Sequence, residues 1–259
     1  MRPSQAVKLD LPLIVLRHLM RKLRSGLRQL HSGMELRWAL ATHQTDWLLR
    51  RRFNRWARDG RGESMERHHS RIAGTIWERM ELHSTDRVLD IGCGQGWALR
   101  LIARRAPEEC VLVGLDISDE MIRLARESSH SYSNMRFHCG QAQNIPEPDS
   151  YFTKIISIEA FYYFERPEDV LRELFRVAQP GGELYLLICF FQEDPKPEAW
   201  FKDIRLPVHN RAIPEYENML RRSGWTRIVS EVFDFRAEIS GEQDEAHERP
   251  LLLMAMKPY

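Results

Sequence analysis

The 259-residue chain reads as an α/β protein built on a mostly parallel sheet with helices on both faces, preceded by a helical extension. Three observations predict this. Apolar, β-branched runs of strand length alternate with stretches of helical periodicity from Val88 to Phe190. The run Val88-Leu89-Asp90-Ile91 leads into glycines at alternate positions, Gly92, Gly94 and Gly96, and then into Trp97 to Arg105, where Leu99, Leu101 and Ile102 recur at helical spacing. A second strand, Val111 to Asp116, closes on an acid 20 residues beyond Gly96. Strand, glycine turn, helix, strand and acid is the order of a nucleotide-binding unit. The turn lets backbone approach the ligand, and the acid accepts from ribose hydroxyls.

Composition sets the outer bounds. The chain is 43 % hydrophobic and 29 % charged, with net charge +1, so it is no polyelectrolyte. The charge is uneven. Residues 1–60 hold 13 Lys or Arg against 4 Asp or Glu, net +9, and the remainder holds 25 against 33, net −8. A basic extension (1–60) followed by a domain (61–259) is the expected organisation. Cys93, Cys110, Cys139 and Cys189 lie far apart with no C-x-x-C pair. They read as reduced thiols of a cytoplasmic protein, not as a metal site or disulfide framework. No apolar run nears the ~18 residues of a membrane span, and no secretory signal is expected.

Residues 1–40 carry Leu9, Leu13, Leu16, Leu19, Met20, Leu23, Leu27 and Leu30 at spacings of three and four, with Arg17, Arg21, Arg24 and Arg28 between them. This basic amphipathic pattern suits docking on the main domain, peripheral contact with an anionic membrane, organelle targeting or RNA contact. Residues 41–85 are expected to be helical, with Trp38, Trp47, Phe53, Trp56, Ile72, Ile76, Trp77 and Met80 as candidate core. Gly60 and Gly62 break that pattern before a new helix, on which Glu66 and His69 share a face. Adjacent His68 and His69 point apart on a helix, so no metal is expected.

Downstream, Ile117 and Ser118 lead into a helix opened by Asp119 and Glu120. Met135 to Cys139 is a third strand, followed by Gly140-Gln141-Ala142-Gln143. Thr153 to Ile158 is a fourth, and its carboxyl end runs Glu159-Ala160-Phe161-Tyr162-Tyr163-Phe164. Those aromatic side chains suit a cation and exclude water. Glu168 to Ala178 is a helix, Glu183 to Phe190 a fifth strand, and Trp225 to Phe235 a sixth. Between the last two lies the proline-bearing segment 191–214, a substrate-side insertion with Trp200, Phe201, Arg205 and His209 as candidate lining residues. Leu251 to Met256 is the last strand.

The first glycine motif, with Asp90 two residues ahead of G-x-G-x-G, resembles that of the class I S-adenosylmethionine-dependent methyltransferases, and not the G-x-G-x-x-G of dinucleotide sites. Val113-Gly-Leu-Asp-Ile-Ser118 resembles the second motif of that family, and Leu171 to Leu184 a late structural motif. The resemblance implies a Rossmann-like seven-stranded sheet whose last strand is antiparallel. It also implies S-adenosylmethionine as methyl donor, bound by Asp90, Gly92, Cys93, Gly94, Gly96, Asp116, Ile117, Gln141, Ala142 and Glu159, and a lid folded from the segment before the first motif. Gln141 stands where the family often has Asp; its amide oxygen can still accept from an adenine amino group. No catalytic residue is named, because alignment of donor and acceptor supplies much of the rate. Glu159, Tyr163 and His209 are the candidates should a proton have to leave.

The sequence does not identify the acceptor. Glu159-Ala-Phe-Tyr162 replaces the Asn-Pro-Pro-Tyr stretch of amino-methylating nucleic-acid enzymes, and the acidic body disfavours a long nucleic-acid footprint. A small organic acceptor is expected. An RNA methyltransferase using the basic arm and a non-catalytic scaffold remain the alternatives.

Overall fold

Strand β1 (Arg87–Ile91) lies parallel to β2 (Val111–Asp116), with Arg87 opposite Val111 and Ile91 opposite Leu115. This register sets the end of β1 beside the end of β2, where the glycines begin. On its other side β1 pairs with β4 (Phe152–Ile158), while β2 carries β3 (Met135–Cys139) at the sheet edge. Parallel β5 (Ala178–Ile188) adjoins β4. It begins earlier than residue 183 because Phe152 already pairs with Ala178, ahead of a register shift.

The computed structural model describes residues 22, 33–39, 41, 45–194, 206–236 and 247–259. Much of the leucine-rich arm, and Trp200, Phe201 and Arg205, lie outside them.

Strands β6 (Thr226–Val232), β7 (Phe235–Arg236), β8 (His247–Glu248) and β9 (Leu251–Met256) follow. The main sheet has seven strands in the order β3-β2-β1-β4-β5-β9-β6. The last strand in sequence enters between the fifth and sixth and runs antiparallel to both. Strand order reverses between β1 and β4, and such a switch point opens a crevice at the carboxyl ends of the strands.

Alternation along the strands builds two apolar layers. Leu89, Ile91, Val113, Leu115 and Ile155 face one side, where α6 (Pro167–Val177) buries Val170, Leu171, Leu174 and Val177 and α7 (Ile213–Arg222) buries Tyr216, Met219 and Leu220. Val88, Leu112, Ile156 and Leu187 face the other, against α3 (Gly74–Trp77), α4 (Trp97–Ala103) and α5 (Asp119–Ser128). Helix α5 begins where Ser118 Oγ accepts from the Met121 N–H at 3.1 Å, with Asp119 and Glu120 against its positive end. Pro167 opens α6, where a missing N–H costs nothing.

Two more helices, α1 (Thr45–Arg58) and α2 (Arg61–Ile72), precede β1. Polar ties fix α1 to α5. Asn54 Oδ1 accepts from Ser118 Oγ at 2.6 Å, Asn54 Nδ2 donates to Asp119, and Arg58 pairs with Glu120. Ile72, Ile76 and Met80 are buried, and Phe53, Trp56 and Trp77 pack against the core. Trp38 and Trp47 depart from the expected core, at 47 % and 45 % exposed. They meet edge to face, centroids 5.6 Å apart, with the Arg51 guanidinium over Trp47. The sheet-facing side of α1 is filled by Leu49 and Phe53, which leaves this pair outside.

Gly114 marks the tightest point of the second layer. A Cβ there would stand 2.6 Å from Phe137 Cδ1 and 2.8 Å from Cys93 Sγ. Gly114→Ala should therefore lower the unfolding free energy by about 1–3 kcal/mol, the usual cost of overpacking. Urea denaturation checks this, and an unchanged midpoint would contradict the packing described.

Candidate active site

The turn after β1 hangs from β2. Gly92 N–H and Cys93 N–H both donate to the Leu115 carbonyl, at 2.8 and 3.1 Å, and Gly94 N–H donates to Asp116 Oδ2 at 2.9 Å. Gly92 has φ +75°, and a Cβ on it would stand 2.4 Å from Ala160 Cβ. Gly94, at φ +52°, would meet nothing within 4 Å. Its bare backbone faces the cavity, and a ligand can come against it where a side chain would intrude. Asp116 also accepts from the Ser118 N–H at 2.8 Å. Burial pushes its pKa up, and backbone donors from Ser118, Gly94 and Ile117 pull the other way. Its carboxylate is thus oriented by backbone and presented to the cavity.

Helices α1 and α2 supply the opposite wall. Asp46, Leu49 and Phe53, at successive turns of α1, line the cavity with Gly62, Met65 and His69 of α2. Gly62 lies where a Cβ would stand 2.4 Å from Gln95 Oε1, so a larger residue there would push the Gln95 side chain from its place beside α2. Glu66 latches it there, accepting from Gln95 Nε2 at 3.2 Å and from Arg100 at 3.3 Å. The segment expected as a lid before the first motif forms this helix, tied to the glycine turn. Gln141 Nε2 donates to Asp46 Oδ2 at 2.7 Å, which leaves the amide oxygen as the group available to accept.

The end of β4 completes the cavity with Glu159, Ala160, Tyr163 and Phe164. Glu159 has φ +55°, a left-handed backbone that non-glycine residues seldom adopt. Its carboxylate is buried, accepting from the Cys189 N–H and, at 3.1 Å, from the Tyr162 hydroxyl. Phe53 and Tyr163 meet edge to face, centroids 5.4 Å apart.

Of the residues expected to bind a donor, Gly92, Cys93, Gly94, Asp116, Ile117, Gln141, Ala142 and Glu159 line this one cavity. Asp90 and Gly96 do not. Asp90 faces the second apolar layer, 2 % exposed, and its carboxyl is pushed up to about 8 by burial and then by Asp116. Gly96 sits under the turn, where a Cβ would stand 2.8 Å from Phe137. Both shape the turn from below. Tyr163 lines the cavity and Phe161 and Tyr162 belong to the core beneath it. His209 is not in the lining. Its N–H donates to the Tyr162 carbonyl at 2.9 Å, behind the aromatic turn, and burial and Arg211 hold its pKa down.

Asp46, Leu49, Phe53 and Met65 were not among the sequence candidates. An acid followed by apolar residues at three and seven positions was the available signal. Electrostatically the cavity has one sign. Asp46, Asp116 and Glu159 line it, and among the described residues no Lys or Arg does. Such a lining attracts a cation and repels anions.

Residues 89–186 match the family model described as a methyltransferase domain. The demethylmenaquinone methyltransferase of Bacillus licheniformis is 27 % identical over 69 % of this chain and 77 % of its own length. The malonyl-[acyl-carrier protein] O-methyltransferase of a Marinomonas species is 33 % identical over 47 % of this chain and 45 % of its own. This chain thus spans less than half of that relative's length, as it does for other curated relatives. A chain of the solved Haloferax volcanii complex between the Trm112 methyltransferase activator and its methyltransferase superposes with TM-score 0.70 at 28 % identity, covering 80 % of this chain and 98 % of that one. With the seven-stranded sheet, the glycine turn and the acid at the end of β2, these matches give the chain a methyltransferase domain of the class I fold.

Proposed function

We propose that this chain moves a methyl group from S-adenosylmethionine to a small organic acceptor by in-line displacement. The observation that carries the reading is the Asp116 carboxylate, held by Gly94 and Ser118 and set on the cavity beside a turn that leaves room for a ligand. S-adenosylmethionine supplies a methyl already activated on a sulfonium. The chain's residues fit that molecule. Asp116 would accept from the ribose diol, the Gln141 oxygen from the adenine amino group, and the bare Gly94 backbone would make room for the amino-acid tail. The carboxylate lining would favour the positive sulfur. Latched by Glu66, α2 closes the cavity from water, and alignment of donor and acceptor can then supply ~7–11 kcal/mol.

The acceptor is not given by family. One relative is named for O-methylation of a carrier-bound malonyl group and another for a quinone precursor. Aromatic residues at the β4 end support an apolar molecule. Exposed Met34, Trp38 and Trp47, on a basic segment, support reaching it at a membrane surface. Among the described residues no helix is long and apolar enough to cross a membrane.

Three outcomes are expected. Asp116→Asn should weaken S-adenosylmethionine binding about 10- to 150-fold, the value of hydrogen bonds to a charged group, while His209→Ala leaves it within two- to three-fold, roughly as for a residue outside the cavity. Titration calorimetry reads both, and a wild-type chain that takes up a pyridine dinucleotide in place of S-adenosylmethionine would refute the assignment. The second concerns pH. With its native carboxyl near 8 against an ordinary 3.8, Asp90 keeps a proton on folding that the unfolded chain loses. Its contribution is complete below the unfolded value and is lost as pH rises through the native one. The melting temperature of the ligand-free chain should therefore fall from pH 5 to about 8.5 more steeply than that of Asp90→Asn; parallel curves would contradict this. Third, the full chain should float with anionic liposomes and Trp38→Ala/Trp47→Ala should float less; equal recovery in the soluble fraction would remove the membrane clause.

A further inference from the structure

The β3 side of the cavity joins a strand end to a helix start that meet only in the fold. Asp116 stands opposite Cys139 in the β2–β3 register, and the Gly140 N–H donates to the Asp116 carbonyl at 2.9 Å. Gln141 comes next and lines the cavity with Ile117 and Ala142. A nucleoside held at Asp116, its tail against the glycine turn on the β1 side, has this β3 side left for its base. Gln141 is exposed. An exposed glutamine turns about three side-chain bonds, and its amide can offer a ligand either an oxygen or an NH2. Here that choice is removed. Gln141 Nε2 donates at 2.7 Å to Asp46 Oδ2, in the first turn of α1. A carboxylate has no proton to give, so the NH2 end must face it and the oxygen is the end left over.

Resting on the methyltransferase reading, we infer that Asp46 is a positioning residue for the methyl donor: through Gln141 it sets the cavity to read the 6-amino group of the donor's purine and to reject a 6-oxo group. The fixed amide oxygen would accept from the amino N–H. A 6-oxo purine brings a carbonyl oxygen to the same place, and two acceptors would meet with no proton between them. Glutamine alone can suit either base by turning its amide over. Beside Asp46 that turn would set the amide oxygen against a carboxylate, so the preference belongs to the pair and not to Gln141. The bond also orders an exposed side chain before a ligand arrives.

Asp46 is itself well placed for this role. Its helix is tied to α5 through Asn54 and Arg58, so the carboxylate stands on a fixed element. It is partly buried and lines the cavity beside Leu49 and Phe53. An acid in the first turn of a helix also stabilises that helix. That role alone predicts a loss of stability on substitution with no change in which purine is bound.

Calorimetry on the full chain, with S-adenosylhomocysteine and S-inosylhomocysteine, separates the two roles. The probes differ at C6 and in the proton on N1. The wild type should bind the adenosyl compound at least about tenfold more tightly, as for a hydrogen bond whose loss leaves an acceptor unpaired. Asp46→Asn offers both an oxygen and an NH2, which frees Gln141 to turn, and should bring the ratio within about threefold. Asp46→Asn/Gln141→Glu should restore the preference, because a carboxylate at 141 accepts whatever stands at 46. If Asp46→Asn does not fold, Asp46→Ser replaces it with the same expectation, since serine suits a helix start and its hydroxyl both gives and accepts. Equal affinity of the wild type for the two probes overturns the inference. So does an unchanged ratio in the position-46 variant, whatever its melting temperature, or a double variant that stays indiscriminate. A wild-type chain that binds neither probe overturns instead the proposed function on which this rests.

Discussion

The site depends on the pairing of β1 with β2, and in particular on one carbonyl and one carboxylate. The Leu115 carbonyl accepts from two successive N–H groups of the glycine turn, and the next residue, Asp116, accepts from a third at Gly94. These bonds are possible only because the parallel register puts the ends of the two strands level. The turn is therefore held by the strand that also carries the cavity-lining acid. Motion in one would misplace the other, and backbone donors hold Asp116 without using a side chain that a ligand might need.

Charge is the second organising feature. Three carboxylates face the cavity, and Asp90 lies one layer below. In water such a cluster would be weakly repulsive. Inside a fold it is costly, and the structure meets the cost in two ways. Asp116 and Glu159 receive backbone or hydroxyl donors, whereas Asp90 holds its proton. The lining is thus prepared for a positive ligand, and the wall opposite is built from α1 and α2, latched to the turn through Glu66, Gln95 and Arg100.

What the sequence made legible was local. The strands of the main sheet, the glycine turn, Asp116 and Ser118 lie within short stretches whose spacing has one sensible geometry, and the structure places eight expected residues on one cavity. The place of β9 inside the sheet came from family resemblance, since nothing in Leu251 to Met256 names its neighbours. The misses are long-range. Asp46 meets Gln141 across 95 positions, and that contact has no local signature. Trp38 and Trp47 read as core because they are large and apolar, yet smaller neighbours occupy the inward side. Asp90 and Gly96 looked like ligand contacts because the motif runs through them, but alternation along β1 sends Asp90 under the turn and Gly96 packs on Phe137. His209 was attractive for its chemistry alone, and a backbone bond fixes it behind Tyr162. The left-handed backbone at Glu159 is invisible in sequence, where glutamate gives no hint of positive φ.

Cys93 sits in the glycine turn and lines the same cavity. A thiolate is a strong nucleophile, and next to an alkylating sulfonium it would be capped within few turnovers. Burial raises its pKa well above the ordinary value, and the Asp116 charge adds to that. The sulfur therefore stays protonated and unreactive. Burial, helped by a neighbouring carboxylate, thus keeps the thiol of the glycine turn from reacting with an alkylating ligand of the kind proposed.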